Sequence, residues 1–194
     1  PEMSRGLGDV YKRQILKIGL DLDDTVCDFL GPYLDRFGIP KRDCEITKNV
    51  SRVLIKDRDF WMNLPVIHRP NFNPTLYCTK RVHSKLWSRQ FLEKNGLPLA
   101  PIYQVLCQTS SKAPRIKGRV DVFVDDSISN FIDLNLNGIP CLLMDGKHNQ
   151  RWGPVGRIFS LDKNEIEECY DLFRHTMFDY FKDLVDDYRK GITG

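Results

Sequence analysis

The sequence predicts an α/β fold built on an open parallel sheet, and two observations carry that expectation. Short apolar runs of strand length alternate with stretches of helical periodicity along most of the 194 residues. Two of those runs, residues 15–20 and 120–124, end in paired acids, Asp21 and Asp23 after the first and Asp125 and Asp126 after the second. In an open α/β sheet, ligands bind at the carboxyl ends of the strands. The acids are therefore expected at the mouth of the sheet.

Taken in order, the chain begins with a segment to be set apart. Residues 9–14, Asp-Val-Tyr-Lys-Arg-Gln, back-translate into the transposon mosaic end used in preparing sequencing libraries, so residues 1–14 are expected to be adaptor-derived and foreign to the fold. Ile15, Leu16, Ile18 and Leu20 then form the first strand. Carboxylates as close as Asp21 and Asp23 repel unless a proton or a cation lies between them, and Mg²⁺ prefers oxygen ligands. A calcium-binding EF-hand loop is set aside, because it needs Gly where Val26 stands and Glu where Pro32 stands.

Phe29, Leu30, Tyr33, Leu34 and Phe37 recur at helical spacing until Gly38 and Pro40 stop the helix. Polar, broken sequence follows to Pro74, with aromatics at Phe60 and Trp61. Residues 28–73 are read as a small, mostly helical cap inserted between the first two strands, its aromatics either cap core or a platform for a ligand. The second strand, 75–79, ends in Thr79 and is followed by Lys80 and Arg81. A helix over 84–95 comes next, and Thr79 either caps it or serves the site.

A third strand at 102–107 leads into a loop with two candidate lysines, Lys112 and Lys117. After the strand at 120–124, Asp126 either caps a helix over 128–136 or binds a ligand. A fifth strand spans 139–144, and 145–160 is read as loop holding Arg151, Trp152 and Arg157. Ile166, Cys169, Tyr170, Phe173, Met177, Phe181, Leu184 and Tyr188 keep a 3.6-residue period, predicting one long helix (within 161–190) packed on the core. Asp162 and Glu165 should form a capping pair at its start. The four histidines, His68, His83, His148 and His175, follow no metal-ligand spacing and are read as structural.

Composition narrows the function classes. A net charge of +3 without runs of like charge gives no support for nucleic-acid or membrane surfaces, and no apolar stretch reaches spanning length. Six cysteines without a C-x-x-C pair suit a reduced, cytoplasmic setting. With neither a P-loop nor G-x-G-x-x-G, kinase and dehydrogenase readings have no support.

The strand running into D-x-D-x-T, the strand-end Thr79, the Lys112-x-Pro114 loop and the second acid-tipped strand together resemble the haloacid dehalogenase (HAD) superfamily of phosphohydrolases. The resemblance implies a Rossmann-like HAD core over 15–27 and 74–160, with sheet order 3-2-1-4-5 and the cap after the first strand. It implies Asp21 as a nucleophile forming an aspartyl phosphate, Asp23 as general acid and then base, and Thr79 as a hydrogen-bond donor to the phosphoryl group. Lys112, or Lys117 in its place, would balance the phosphate. Mg²⁺ would be held by Asp21, Asp23 and Asp126, with Asp125 behind them orienting Lys112 or a water. The cap and the Thr79-Lys-Arg81 form look most like the 5′(3′)-deoxyribonucleotidase branch, which implies a nucleoside monophosphate stacked on Phe29, Phe60 and Trp61 with Arg81 beside it. The same chemistry on a sugar phosphate or a 3′-phosphate nucleic-acid end, and a non-catalytic binding module, are the alternatives. Homodimer formation is left open.

Overall fold

Six parallel strands form a single sheet in the computed structural model, which describes residues 15–41, 44–107, 109–176 and 180–191. The adaptor reading of residues 1–14 lies outside the described residues. β1 (Ile18–Leu20) is central, with β2 (Leu76–Thr79) on one side and β4 (Val122–Asp125) on the other. β3 (Ile102–Gln104) lies outside β2; β5 (Cys141–Met144) and then β6 (Arg157–Ile158) lie outside β4. The order β3-β2-β1-β4-β5-β6 contains the expected 3-2-1-4-5 arrangement and extends it by one strand.

Burial explains the layout. Every residue of β1, β2, β4 and β5 is buried, as expected of strands covered on both faces, whereas β3 is half-buried at the sheet edge. The apolar run before β1 overshoots the strand, because Ile15 is exposed. Gly19 is required inside β1: a Cβ there would come within 2.7 Å of the Phe123 ring on β4.

Between β1 and β2 the chain forms α1 (Leu30–Phe37), α2 (Cys44–Arg52), a 3₁₀ turn (Leu54–Lys56) and α3 (Arg58–Met62). The segment between the first two strands is thus helical. α4 (Lys85–Lys94) follows β2, the short α5 (Ala113–Ile116) precedes β4, and α6 (Ile128–Leu136) follows it. Ser84 caps α4 by accepting from the Leu86 amide, and Ser127 caps α6 by accepting from the Asn130 amide. Neither Thr79 nor Asp126 is used as a cap, which leaves both to the mouth of the sheet.

The C-terminal third departs from expectation in three places. Residues 145–160 are not all loop: they hold a 3₁₀ turn (Lys147–Asn149) and β6, whose two residues are too few to show a period. The single long helix is two, α7 (Lys163–Thr176) and α8 (Phe181–Arg189). Phe173 and Phe181 would lie about 12 Å apart along one continuous helix, yet their ring centroids are 5.8 Å apart around Phe131 and Trp152. The apolar period persisted because both helices bury the same aromatic cluster. Asp162 does accept from the Asn164 and Glu165 amides, but Glu165 reaches back to the Phe159 amide and the Ser160 hydroxyl rather than to Asp162.

Candidate active site

The pairing of β1 with β4 brings the two acidic strand ends together. Leu20 lies opposite Val124, and the Asp21 amide donates to the Val124 carbonyl at 2.9 Å. The two chains leave the sheet side by side. One carboxylate oxygen from each of Asp21, Asp125 and Asp126 falls within 4.8 Å of the others, and all three residues are buried.

Lys112 enters this cluster from the start of α5, its side chain 1% exposed. Its Nζ lies 2.9 Å from Asp21 Oδ2 and 2.7 Å from Asp125 Oδ2. Burial opposes the ammonium charge, but Asp125 and Asp21 outweigh it and raise the Lys112 pKa. Lys117, the other candidate, is exposed at the end of α5 and stands away from the acids. Asp125 is fully engaged, with its oxygens also accepting from the Ser127 amide and from Asn130 Nδ2, both at 3.0 Å.

Three buried carboxylates against one buried ammonium leave negative charge unbalanced. Burial pushes the Asp21 carboxyl well above the usual range, Lys112 pulls it back, and Asp125, Asp126 and Asp23 raise it again. Burial likewise raises Asp126, with His148 opposing. Asp21 Oδ1 is buried without any hydrogen-bond partner, a costly state for a carboxylate oxygen. An all-oxygen donor set with an orphaned oxygen and surplus negative charge fits a hard divalent cation. Asp21 and Asp126 are the residues placed to hold it, with Asp125 occupied by Lys112.

Asp23, the other expected ligand, stands apart from the three-carboxylate cluster. Its carboxylate is gripped by Arg81, whose Nε and Nη2 lie 3.0 and 2.7 Å from Asp23 Oδ1. Arg81 in turn is 1% exposed and lies beside the rings of Trp61 and Phe91, with centroid distances of 5.1 and 5.5 Å. It clamps Asp23 and packs on Trp61, while it also lines the cleft above the site and its Nη1 is buried without a hydrogen-bond partner. Thr79 ends β2 fully buried, its Oγ1 accepting from the Arg81 amide at 3.2 Å.

A cleft of about 200 Å³ opens above these groups. Asp21, Asp23, Asp24 and Asp126 form its acidic part, while Phe29, Ile46, Val50 and the edge of Trp61 come from the cap segment. Lys80 and Arg81 lie after β2, and Ser127, Ser129 and Asn130 line it from the start of α6. A larger groove of about 610 Å³ along α4 and β3 contains no carboxylate.

The aromatic trio divides. Phe29 is half-buried and lines the cleft, but Phe60 does not reach it. Trp61 is 2% exposed, its Nε1 donates to the Leu54 carbonyl at 2.7 Å, and its ring is packed by Phe29, Phe60 and His83. It is cap core, not an open stacking platform. Trp61→Phe is therefore expected to cost about 0.5–1.5 kcal/mol, because the Leu54 carbonyl loses the indole N–H but still accepts from the Asp57 amide. Urea unfolding checks this loss of stability.

Two residues at the site were missed. Asp24, given no role above, has a left-handed backbone with φ 56°, and its Oδ1 accepts from the Phe29 and Leu30 amides, both at 2.9 Å. Burial, then the charge of Asp126, pushes its pKa up to about 7. His148, read as structural, instead donates from Nε2 to Asp126 Oδ2 at 2.8 Å, and that bond raises its own pKa. His83 is as expected, packed with Trp61 and Trp87. No family model matches this chain, and no curated protein matches it as a relative.

Proposed function

We propose that this chain is a Mg²⁺-dependent phosphomonoesterase of the HAD type, acting through an aspartyl phosphate on Asp21. The observation that carries the reading is the buried Asp21–Lys112–Asp125 group with Asp126 beside it, at the carboxyl ends of the two central strands and under a cleft. Such a group has charge to receive a cation and, with it, a phosphate.

In this mechanism an Asp21 oxygen forms a bond to phosphorus as the ester oxygen leaves, and Asp23 supplies the proton that the leaving oxygen takes. Water then attacks phosphorus, Asp23 takes its proton, and the bond between phosphorus and the Asp21 oxygen breaks, which restores the Asp21 carboxylate and frees inorganic phosphate. Lys112 holds Asp21 in place and offsets the anionic charge that gathers there. Arg81 fixes the direction of the Asp23 carboxylate through its two-nitrogen grip. A bound Mg²⁺ would add Lewis-acid charge stabilisation for the phosphoryl oxygens.

Nucleoside monophosphates are the favoured substrates, because Phe29, Ile46 and Val50 give one wall of the cleft an apolar surface for a planar base. A second substrate class, sugar phosphates, is favoured by Ser127, Ser129 and Asn130, which also line the cleft and offer polar contacts. Phosphate release from a panel of both classes tests the reading. EDTA should abolish turnover and added Mg²⁺ restore it, with the nucleotides hydrolysed fastest. Turnover indifferent to chelation would remove the metal, and no release from any ester would remove the enzyme.

A further inference from the structure

The segment between β5 and β6, which the proposed chemistry does not use, is built around one of the acids. Asn149 Nδ2 donates to the backbone carbonyls of Asp126 and Met144, both at 2.8 Å. Arg157, at the start of β6, donates to Asn149 Oδ1 at 2.7 Å and to Asp145 Oδ1 at 2.8 Å, and also holds the Trp152 carbonyl at 2.7 Å. Asn149 is 1% exposed, so its own bonds are shielded from water. The 3₁₀ turn is thereby fixed against the end of β4, with His148 over Asp126.

We infer that His148 is a positioning residue for metal binding, orienting the Asp126 carboxylate from behind. This inference rests on the reading of Asp21 and Asp126 as the cation ligands. Each carboxylate oxygen can accept about two bonds. His148 Nε2 occupies one site on Oδ2 at 2.8 Å and Thr25 Oγ1 one on Oδ1 at 3.3 Å, leaving the remaining lone pairs for a cation. Two donors on opposite oxygens also restrict rotation of the group, so less freedom is lost when the ion arrives. The His148 side chain is 31% exposed, and its removal opens no core cavity.

Calorimetric titration of the metal-free protein with Mg²⁺ and with Mn²⁺ tests this without reference to turnover. His148→Ala should weaken both ions by about 10- to 100-fold, the usual cost of losing a partner of a ligand. His148→Gln, whose amide can still donate, should recover most of that affinity and keep the metal-free melting temperature of the parent. Unchanged Mg²⁺ affinity in His148→Ala overturns the inference. A loss confined to Mn²⁺ overturns it as well, since that pattern belongs to direct ligation by the imidazole. If the parent itself binds neither ion and matches Asp126→Asn, the metal reading falls and takes this inference with it.

Discussion

Asp21→Asn is expected to abolish phosphate release while leaving the fold standing. The amide fills the same space, and its oxygen can still accept from Lys112, which now lies 2.9 Å from Asp21 Oδ2. It is a poor nucleophile, however, and removing the attacking group from enzymes of covalent mechanism costs about 10⁴-fold or more. Stability should not fall, because the substitution removes a buried carboxylate whose ionised form is disfavoured. Phosphate release and thermal unfolding in EDTA, measured on the same preparation, separate the two effects. Retained turnover would move the nucleophile elsewhere; a collapsed melt would mean that Asp21 is structural first.

Lys112→Met should act in the opposite way, on the fold as much as on the chemistry. Methionine approximates the length of the stem but leaves Asp21 and Asp125 facing each other in the interior without a counter-charge. Removing one partner of a buried pair typically costs about 3–5 kcal/mol. Urea unfolding should show a loss on that scale, and Mg²⁺ should recover part of it by replacing the missing positive charge. Adding Asp125→Asn should also recover part, giving a large coupling between the two positions in a double-mutant cycle. A Lys112→Met protein as stable as its parent would mean that the cluster is less tightly coupled than its distances imply.

Legibility in the sequence followed local chemistry. The four interior strands were visible because apolar runs bury on both faces, and the acids were conspicuous because carboxylates rarely end such runs without a purpose. Serine caps at Ser84 and Ser127 were signalled less clearly than the helices they start, and Thr79 and Asp126 competed with them on paper. What escaped notice depended on contacts between distant residues. His148 has no spacing relation to Asp126; it arrives there because Asn149 and Arg157 fasten its turn. Arg81 looked like a group for a ligand because it follows Thr79, and nothing in that position signalled that its guanidinium also folds back onto Asp23. Trp61 offered an aromatic ring without revealing that its indole nitrogen already has a partner in Leu54. The two-residue β6 gave no pattern at all.

The central position of β1 also has a consequence in time. Its two edges are filled by β2 and β4, and Ile18 pairs with Val122, far along the chain. At a synthesis rate of about 5–20 residues per second, β1 waits roughly 5–20 s for its second neighbour to be made. During that interval one edge of an apolar strand is open, and Asp21 lacks both the Val124 carbonyl and Lys112. The innermost strand of the finished sheet is thus the most vulnerable strand of the nascent chain. Translation that stalls before Val122 would release a species with an unpaired, aggregation-prone edge, whereas a stall after Asp126 would release one whose centre can already close.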